Sequence, residues 1–254
     1  MTRSHRVPLV LLNAFPLDKE QWEPLLAALD EADVPVGDII TFDPPGIGDM
    51  PATDEPPSLE LIADAAVMAM RDVTGWSTAL WVGCSMGGYV AMAVLDRHPD
   101  AVAGVGLLGT RASADTAEAS ARREQAARDA EAEDGIDDAD SHARGLISEA
   151  SAAKADLLAS VRANVARQKG VGIAWGQRAM AARLPRLSIL ENASAPAFVM
   201  RGEDDAITSA ADADAMAQAL ETEVVTLPGI GHLVGLEAPA AVAEQVAVLA
   251  RAAR

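Results

Sequence analysis

Cysteine is nearly missing from this chain: Cys84 is the only one among 254 residues. A single thiol cannot close an intrachain disulfide, so the fold must rest on packing, and a reducing compartment is expected. Aromatic rings are scarce as well, at 3%. Leu, Val, Ile and Met must therefore build the core, with alanine supplying much of the 50% hydrophobic content. Positive charge is in short supply too, since 20 Lys and Arg face 38 Asp and Glu, a formal net charge of −18. That balance argues against nucleic acid or an anionic membrane as partners, because both need a positive footprint. It also repels strongly anionic substrates, unless local arginines offset the field. No apolar run approaches the ~20 residues of a membrane span. The basic start, Met1–Arg6, leads only into a short apolar run, Val7–Leu12, without the features of a signal peptide. The expectation is a soluble cytoplasmic protein with a small-molecule partner; the oligomeric state is not encoded in any pattern here.

What is present is a rhythm. Apolar runs of strand length recur at Val7–Asn13, Val36–Phe42, Thr78–Cys84, Val102–Leu108, Pro196–Arg201 and Glu223–Leu227. Continuous runs of this kind suit strands buried on both faces of a parallel sheet. Helical patterns alternate with them at Asp18–Leu29, from an N-cap at Ser58 to Val73, at Gly87–His98, Ser209–Leu220 and Glu237–Arg251. The alternation predicts a doubly wound α/β fold with about six mostly parallel strands flanked by helices. Between about Thr110 and Leu190 the rhythm stops, and only Ala/Glu/Arg/Asp-rich helical sequence appears. A strand-free stretch between two strands reads as a helical cap (110–190) inserted into a core made of 1–109 and 191–254.

One turn carries chemistry. Gly83-Cys84-Ser85-Met86-Gly87-Gly88 follows a strand and opens a helix. In that context G-x-S-x-G is a nucleophile elbow, a sharp strand-to-helix turn that lifts a serine hydroxyl out of the sheet. Without Cβ atoms at Gly83 and Gly87 the two backbones can approach closely, and the new helix points free N–H groups at charge forming beside Ser85. A serine nucleophile needs a base, and the base needs an orienting acid. Of the four histidines, His5 is in the N-terminal tail, His98 ends a helix and His142 lies in the cap. His232, in the Gly-rich loop Pro228–Val234 after the last strand, sits at the same sheet edge as Ser85 and is the expected base. The strand ending at Met200 is followed by Glu203, Asp204 and Asp205, any of which could be the acid. The N–H of Met86 and that of Phe15, in the loop after the first strand, are the candidate oxyanion donors.

Three other patterns are set aside. Gly104–Gly109 spells G-x-G-x-x-G, but it falls inside a hydrophobic strand and not at a helix start. Cys84 adjoins the nucleophile yet should turn into the fold as a small hydrophobe. Asp137, Asp138, Asp140 and His142 lie in an acidic connector that reads as solvated surface, and no metal site is expected.

These residues together resemble the α/β-hydrolase superfamily over essentially the whole chain. Asp43-Pro-Pro-Gly-Ile-Gly-Asp49 is similar to its D-x-P-G-x-G loop, Gly202–Asp205 to its G-x-x-D motif, and Gly231-His232 to its histidine loop. The resemblance selects Asp205 as the acid. Leu11–Leu17 and Thr110–Thr116 are similar to the enol-lactonase branch, a less specific likeness. Where the family usually has His-Gly, this chain has Asn13-Ala14, so the turn that presents the Phe15 N–H lacks the glycine that usually eases it. The antiparallel strands that usually open the sheet are missing from the pattern. The resemblance implies a cofactor-free serine hydrolase acting on a carboxylic ester or lactone through Ser85, His232 and Asp205. Perhydrolysis or C–C bond hydrolysis on the same triad is the alternative, and a non-catalytic receptor a more distant one. The pocket is expected among Ala14, Phe15, Met86, Leu233 and cap residues from Trp175 to Met180, and to favour an apolar group. Arg111, Arg178 and Arg183 are candidates for a substrate carboxylate, although exposed cap arginines are the simpler reading.

Overall fold

Six strands form one sheet in the computed structural model, which describes residues 6–253. They are β1 (Leu9–Leu12), β2 (Ile39–Phe42), β3 (Ala79–Cys84), β4 (Val102–Leu108), β5 (Ala197–Gly202) and β6 (Val224–Leu227). The order is β2-β1-β3-β4-β5-β6 and every pairing is parallel. All six expected strands are present, and no antiparallel strand precedes them among the described residues. His5 lies outside those residues.

Alternation along the strands explains the three layers. In β3, Ala79 and Trp81 pack into one hydrophobic cluster and Leu80, Val82 and Cys84 into the other. The first cluster is completed by α2 (Leu59–Thr74), α3 (Met86–Arg97) and α10 (Ala210–Ala219). The second is completed by α1 (Glu23–Glu31) and α12 (Pro239–Ala252). A strand buried on both faces needs apolar side chains at both parities, which is why these runs are continuous. The G-x-G-x-x-G match is core: a Cβ on Gly104 would meet Leu249 at 2.9 Å, and one on Gly106 the ring of Phe198 at 2.4 Å.

Helix ends follow local chemistry. Ser58 caps α2 by accepting from the N–H groups of Glu60 and Leu61, and Gly75 closes it in the left-handed region at φ 70°. One expected helix is divided: Asp18–Leu29 is a 3-10 turn (Lys19–Trp22) followed by α1, with Pro24 in the first turn of α1. The last expected helix, Glu237–Arg251, is α12 starting on Pro239, and a short α11 (Val234–Glu237) precedes it across a break at Ala238. Proline disfavours helical backbone in the residue before it, which accounts for that break.

Between β4 and β5 the chain is all helix: α4 (Ala117–Glu133), α5 (Ala139–Leu146), α6 (Glu149–Ala152), α7 (Ala155–Ala166), α8 (Gly170–Ala181) and α9 (Leu187–Glu191). The ends of this excursion meet. Arg186 N–H donates to the carbonyl of Ala112 at 2.8 Å, and Arg183 Nε to that of Ser113 at 2.9 Å. The Asp43–Asp49 loop packs on it backbone to backbone, since a Cβ on Gly46 (φ 77°) would lie 2.6 Å from the Cα of Gly172. No helix among the described residues is long and apolar enough to cross a membrane.

Candidate active site

Ser85 sits at the junction of β3 and α3 with φ 52° and ψ −114°. A non-glycine residue in that region costs on the order of 1–3 kcal/mol and persists only where its surroundings hold it. Here they do. A Cβ on Gly83 would meet the Gly87 carbonyl at 2.1 Å, and one on Gly87 the Leu12 carbonyl at 2.0 Å. Both positions are closed to any side chain, so the strand, the helix and the end of β1 are locked together around the serine. Thr110 Oγ1 donates to the Ser85 carbonyl at 2.7 Å, and Ser85 N–H donates to Leu108 at 2.9 Å.

His232 and Asp205 meet beside it. Nδ1 of His232 lies 3.1 and 3.0 Å from the two carboxylate oxygens of Asp205. Both side chains are sealed, at 2% and 0% exposure, whereas Glu203 and Asp204 are exposed. Burial works against the Asp205 charge, but the hydrogen bond and field of His232, with donation from Thr208 Oγ1 and Ile207 N–H, hold its carboxyl down at about 2. Nδ1 is thus committed to the carboxylate, leaving Nε2 for a proton from elsewhere. His232 and Ser85 line the same cavity, with no hydrogen bond between them among the described residues. Apo geometry of this kind commonly tightens only when substrate is bound.

The loop carrying His232 is held by a residue that motif reading passed over. The Glu237 carboxylate accepts from Gly231 N–H at 3.0 Å, Leu233 N–H at 3.1 Å and Ser148 N–H at 2.9 Å. It therefore grips both neighbours of His232 and ties them to the helical excursion. In sequence it is merely the acid before Ala238-Pro239.

The loop after β1 is anchored at both ends. Asn13 accepts from the Trp22 indole at 2.8 Å and donates to Asp43 at 2.8 Å. At the other end buried Asp18 accepts from Arg167 twice, at 2.7 Å each, and from Asn164 and Gln168 at 3.0 Å each. Ala14 N–H donates to Gln21 at 3.2 Å. The N–H groups of Phe15 and Met86 have no acceptor among the described residues.

A cavity of about 470 Å³ opens over Ser85 and His232. Phe15 and Met180 line it as expected, but Ala14, Met86, Trp175 and Leu233 do not. Ala14, Met86 and Leu233 are packed into the core at 0%, 2% and 1% exposure. Trp175 turns away and donates its indole N–H to the Glu55 carbonyl at 3.0 Å. Five helical residues separate it from Met180, a rotation of about 140°, so the two cannot share a face. The lining is also not apolar: Arg111, Asp115, Arg122, Arg123, His142 and Gln177 contribute to it. Ala119, Arg122, Arg123 and Ala126 recur at helical spacing on one face of α4, a pattern present in the sequence. The other candidates are spent. Arg178 pairs with Glu124 and Glu131. Arg183 is buried and not exposed, pairing with Asp115 at 2.7 Å with its guanidinium 4.5 Å from the Tyr89 ring centre. His98 bonds Asp64 at 2.7 Å, and Cys84 is buried, which pushes its thiol pKa up.

Comparison with known proteins extends these observations. Residues 7–239 match the family model for the alpha/beta hydrolase fold. A thermophilic esterase from Thermogutta terrifontis superposes with a TM-score of 0.89 at 27% identity, covering 97% of this chain and 90% of that one. The enol-lactonase from Burkholderia xenovorans gives 0.84 at 24% identity, covering 98% and 93%. An esterase from a Rhodococcus species gives 0.79 at 20%, covering 99% and 92%. No curated protein matches the sequence. With the match running through nearly the whole chain and the sheet, elbow and histidine loop in their places, the protein belongs to the α/β-hydrolase fold family.

Proposed function

We propose that the protein is a serine hydrolase that cleaves a carboxylic ester or lactone through an acyl-enzyme. The carrying observation is a serine held in a strained turn, facing the same cavity as a histidine whose far nitrogen is fixed by a buried carboxylate. The esterase likeness at 27% identity supports the ester class.

In this reading Ser85 Oγ attacks the carbonyl carbon while His232 Nε2 takes its proton. Asp205 keeps the imidazole in the tautomer with Nδ1 protonated and stabilises the imidazolium that forms. The N–H groups of Met86 and Phe15, which the fold leaves without acceptors, receive the oxyanion. His232 then returns the proton to the departing alkoxide, and water attacks the acyl-Ser85 bond by the reverse route. The helices from 110 to 190 act as a cap that closes the cavity over the sheet edge.

The test is turnover of p-nitrophenyl esters from acetate to decanoate, alongside Ser85→Ala. Turnover that Ser85→Ala lowers by about 10³-fold or more establishes the nucleophile. Turnover that survives the substitution removes Ser85 from the mechanism.

A further inference from the structure

The charge around Ser85 runs opposite to that of the molecule. In a chain of net charge −18, the cavity over Ser85 and His232 presents Arg111, Arg122 and Arg123 against one lining carboxylate, Asp115. That carboxylate is already shared between Arg123 Nε at 2.6 Å and Arg183 Nη2 at 2.7 Å. Two cations on one anion leave a positive surplus before Arg111 and Arg122 are considered. His142, which burial pushes toward the neutral imidazole, adds no counter-charge.

Arg111 and Arg122 differ from the other arginines around the active site. Arg111 gives one N–H to the Ile207 carbonyl, and its closest carboxylate oxygen, on Asp212, is 4.0 Å from Nε. That Nε is shut off from solvent with no hydrogen-bond partner. Arg122 makes no hydrogen bond or ion pair among the described residues and meets only the field of exposed Glu118, one turn earlier. Arginines held as weakly as these, Arg111 by one carboxylate at 4.0 Å and Arg122 on α4 by none among the described residues, are usually solvated surface. These two instead line the cavity that holds the nucleophile, in a protein whose overall field would otherwise drive anions away.

We propose that Arg111 and Arg122 form an anion subsite, and that the substrate carries a free carboxylate besides its scissile ester or lactone carbonyl. The inference rests on the serine-hydrolase reading and adds the substrate class to it. A guanidinium fork matches a carboxylate with two parallel N–H bonds. A cavity of about 470 Å³ suits a small hemiester or carboxylated lactone, in the usual size range of ligand pockets. The carboxylate can belong to the acyl part or to the alcohol part, and the test separates the two.

Two matched pairs serve. Mono-p-nitrophenyl glutarate against p-nitrophenyl pentanoate places the charge on the acyl side. p-Acetoxybenzoate against p-tolyl acetate places it on the leaving group. At low ionic strength the anionic member of one pair is expected to lead in kcat/KM by about tenfold or more, the scale of one charged hydrogen bond. Added salt should erode that lead. Arg111→Gln and Arg122→Gln should each reduce the anionic-to-neutral ratio, chiefly through KM, and Arg122→Lys should restore part of it. Arg122 lies on an exposed helix face, so its variants fold, which thermal melts verify. A preference for the neutral ester in both pairs overturns the proposal, and so does a ratio that the double glutamine variant leaves intact. Ser85-dependent turnover of the neutral esters with no anionic preference removes the subsite alone. No Ser85-dependent turnover of any of the four removes the hydrolase reading with it.

Discussion

Three neighbouring carboxylates, Glu203, Asp204 and Asp205, show how burial assigns roles among chemically similar side chains. Only Asp205 leaves solvent, and only it meets His232. Asp205→Asn is therefore expected to lower kcat by about 10⁴-fold with little change in KM, because the amide would favour the wrong imidazole tautomer. Its pH signature has a definite sign. The folded-state carboxyl, at about 2, lies below the ordinary aspartate value of 3.8, so its stabilising effect is complete above about pH 4 and is lost as pH falls through 2. Unfolding curves of wild type and Asp205→Asn should differ by a constant amount at neutral pH and draw together across that acidic window. Ser85 and His232 were legible in the sequence because a backbone constraint marks each: glycines around one, a Gly-rich loop after a strand around the other. The carboxylate that meets His232 was not legible from residues alone, since adjacent carboxylates differ only in which one the next turn buries. Arg122 and Arg123 were illegible for another reason. A charged helix face looks the same in sequence whether it meets open water or a cavity.

The elements were the most readable level, down to strand ends within three residues. Each strand must be apolar at both parities to lie between two helical layers, and that requirement shows in sequence. The starts of α1 and α12 were less readable, because Pro24 and Pro239 are compatible both with a helix start and with a break. The pocket was misplaced at this scale, since no pattern told which face of α8 would meet the sheet edge. Long-range polar ties were also hidden. Asp18, at the end of the loop that carries Phe15, is gripped by Asn164, Arg167 and Gln168 from the end of α7 and just beyond it. Burial opposes its charge, yet Arg167, Gln168 and the Glu20 N–H together lower its pKa. Asp18→Ala should leave Asn164 Nδ2 unsatisfied, strip the Arg167 guanidinium of its buried carboxylate and release that junction, costing about 3 kcal/mol in denaturant melts. It should also lower kcat more than KM, since the Phe15 N–H loses its footing. A variant as stable and as active as wild type would show that the loop holds its place without the clamp.

For the molecule as a whole, the charge balance sets the terms of stability. With a net charge of −18 the folded chain repels itself, and salt screens that repulsion. The melting temperature is expected to rise as sodium chloride is raised from low to physiological strength, while any preference for anionic esters falls. Thermal scans across a salt series check the first half of that pairing. The joined ends of the excursion carry a different consequence. Because Arg186 already bonds to Ala112, the helices between them leave the sheet and return at nearly one point. Replacing them with a segment of another length changes the closure entropy only slowly, and none of Ser85, Asp205 and His232 lies inside. Arg122, Arg123, Gln177 and Met180, which line the cavity, all do. On the proposed reading the scaffold separates most of what recognises from what reacts, and a lineage could trade one cassette for another so long as the new one again holds Asp18 and Glu237.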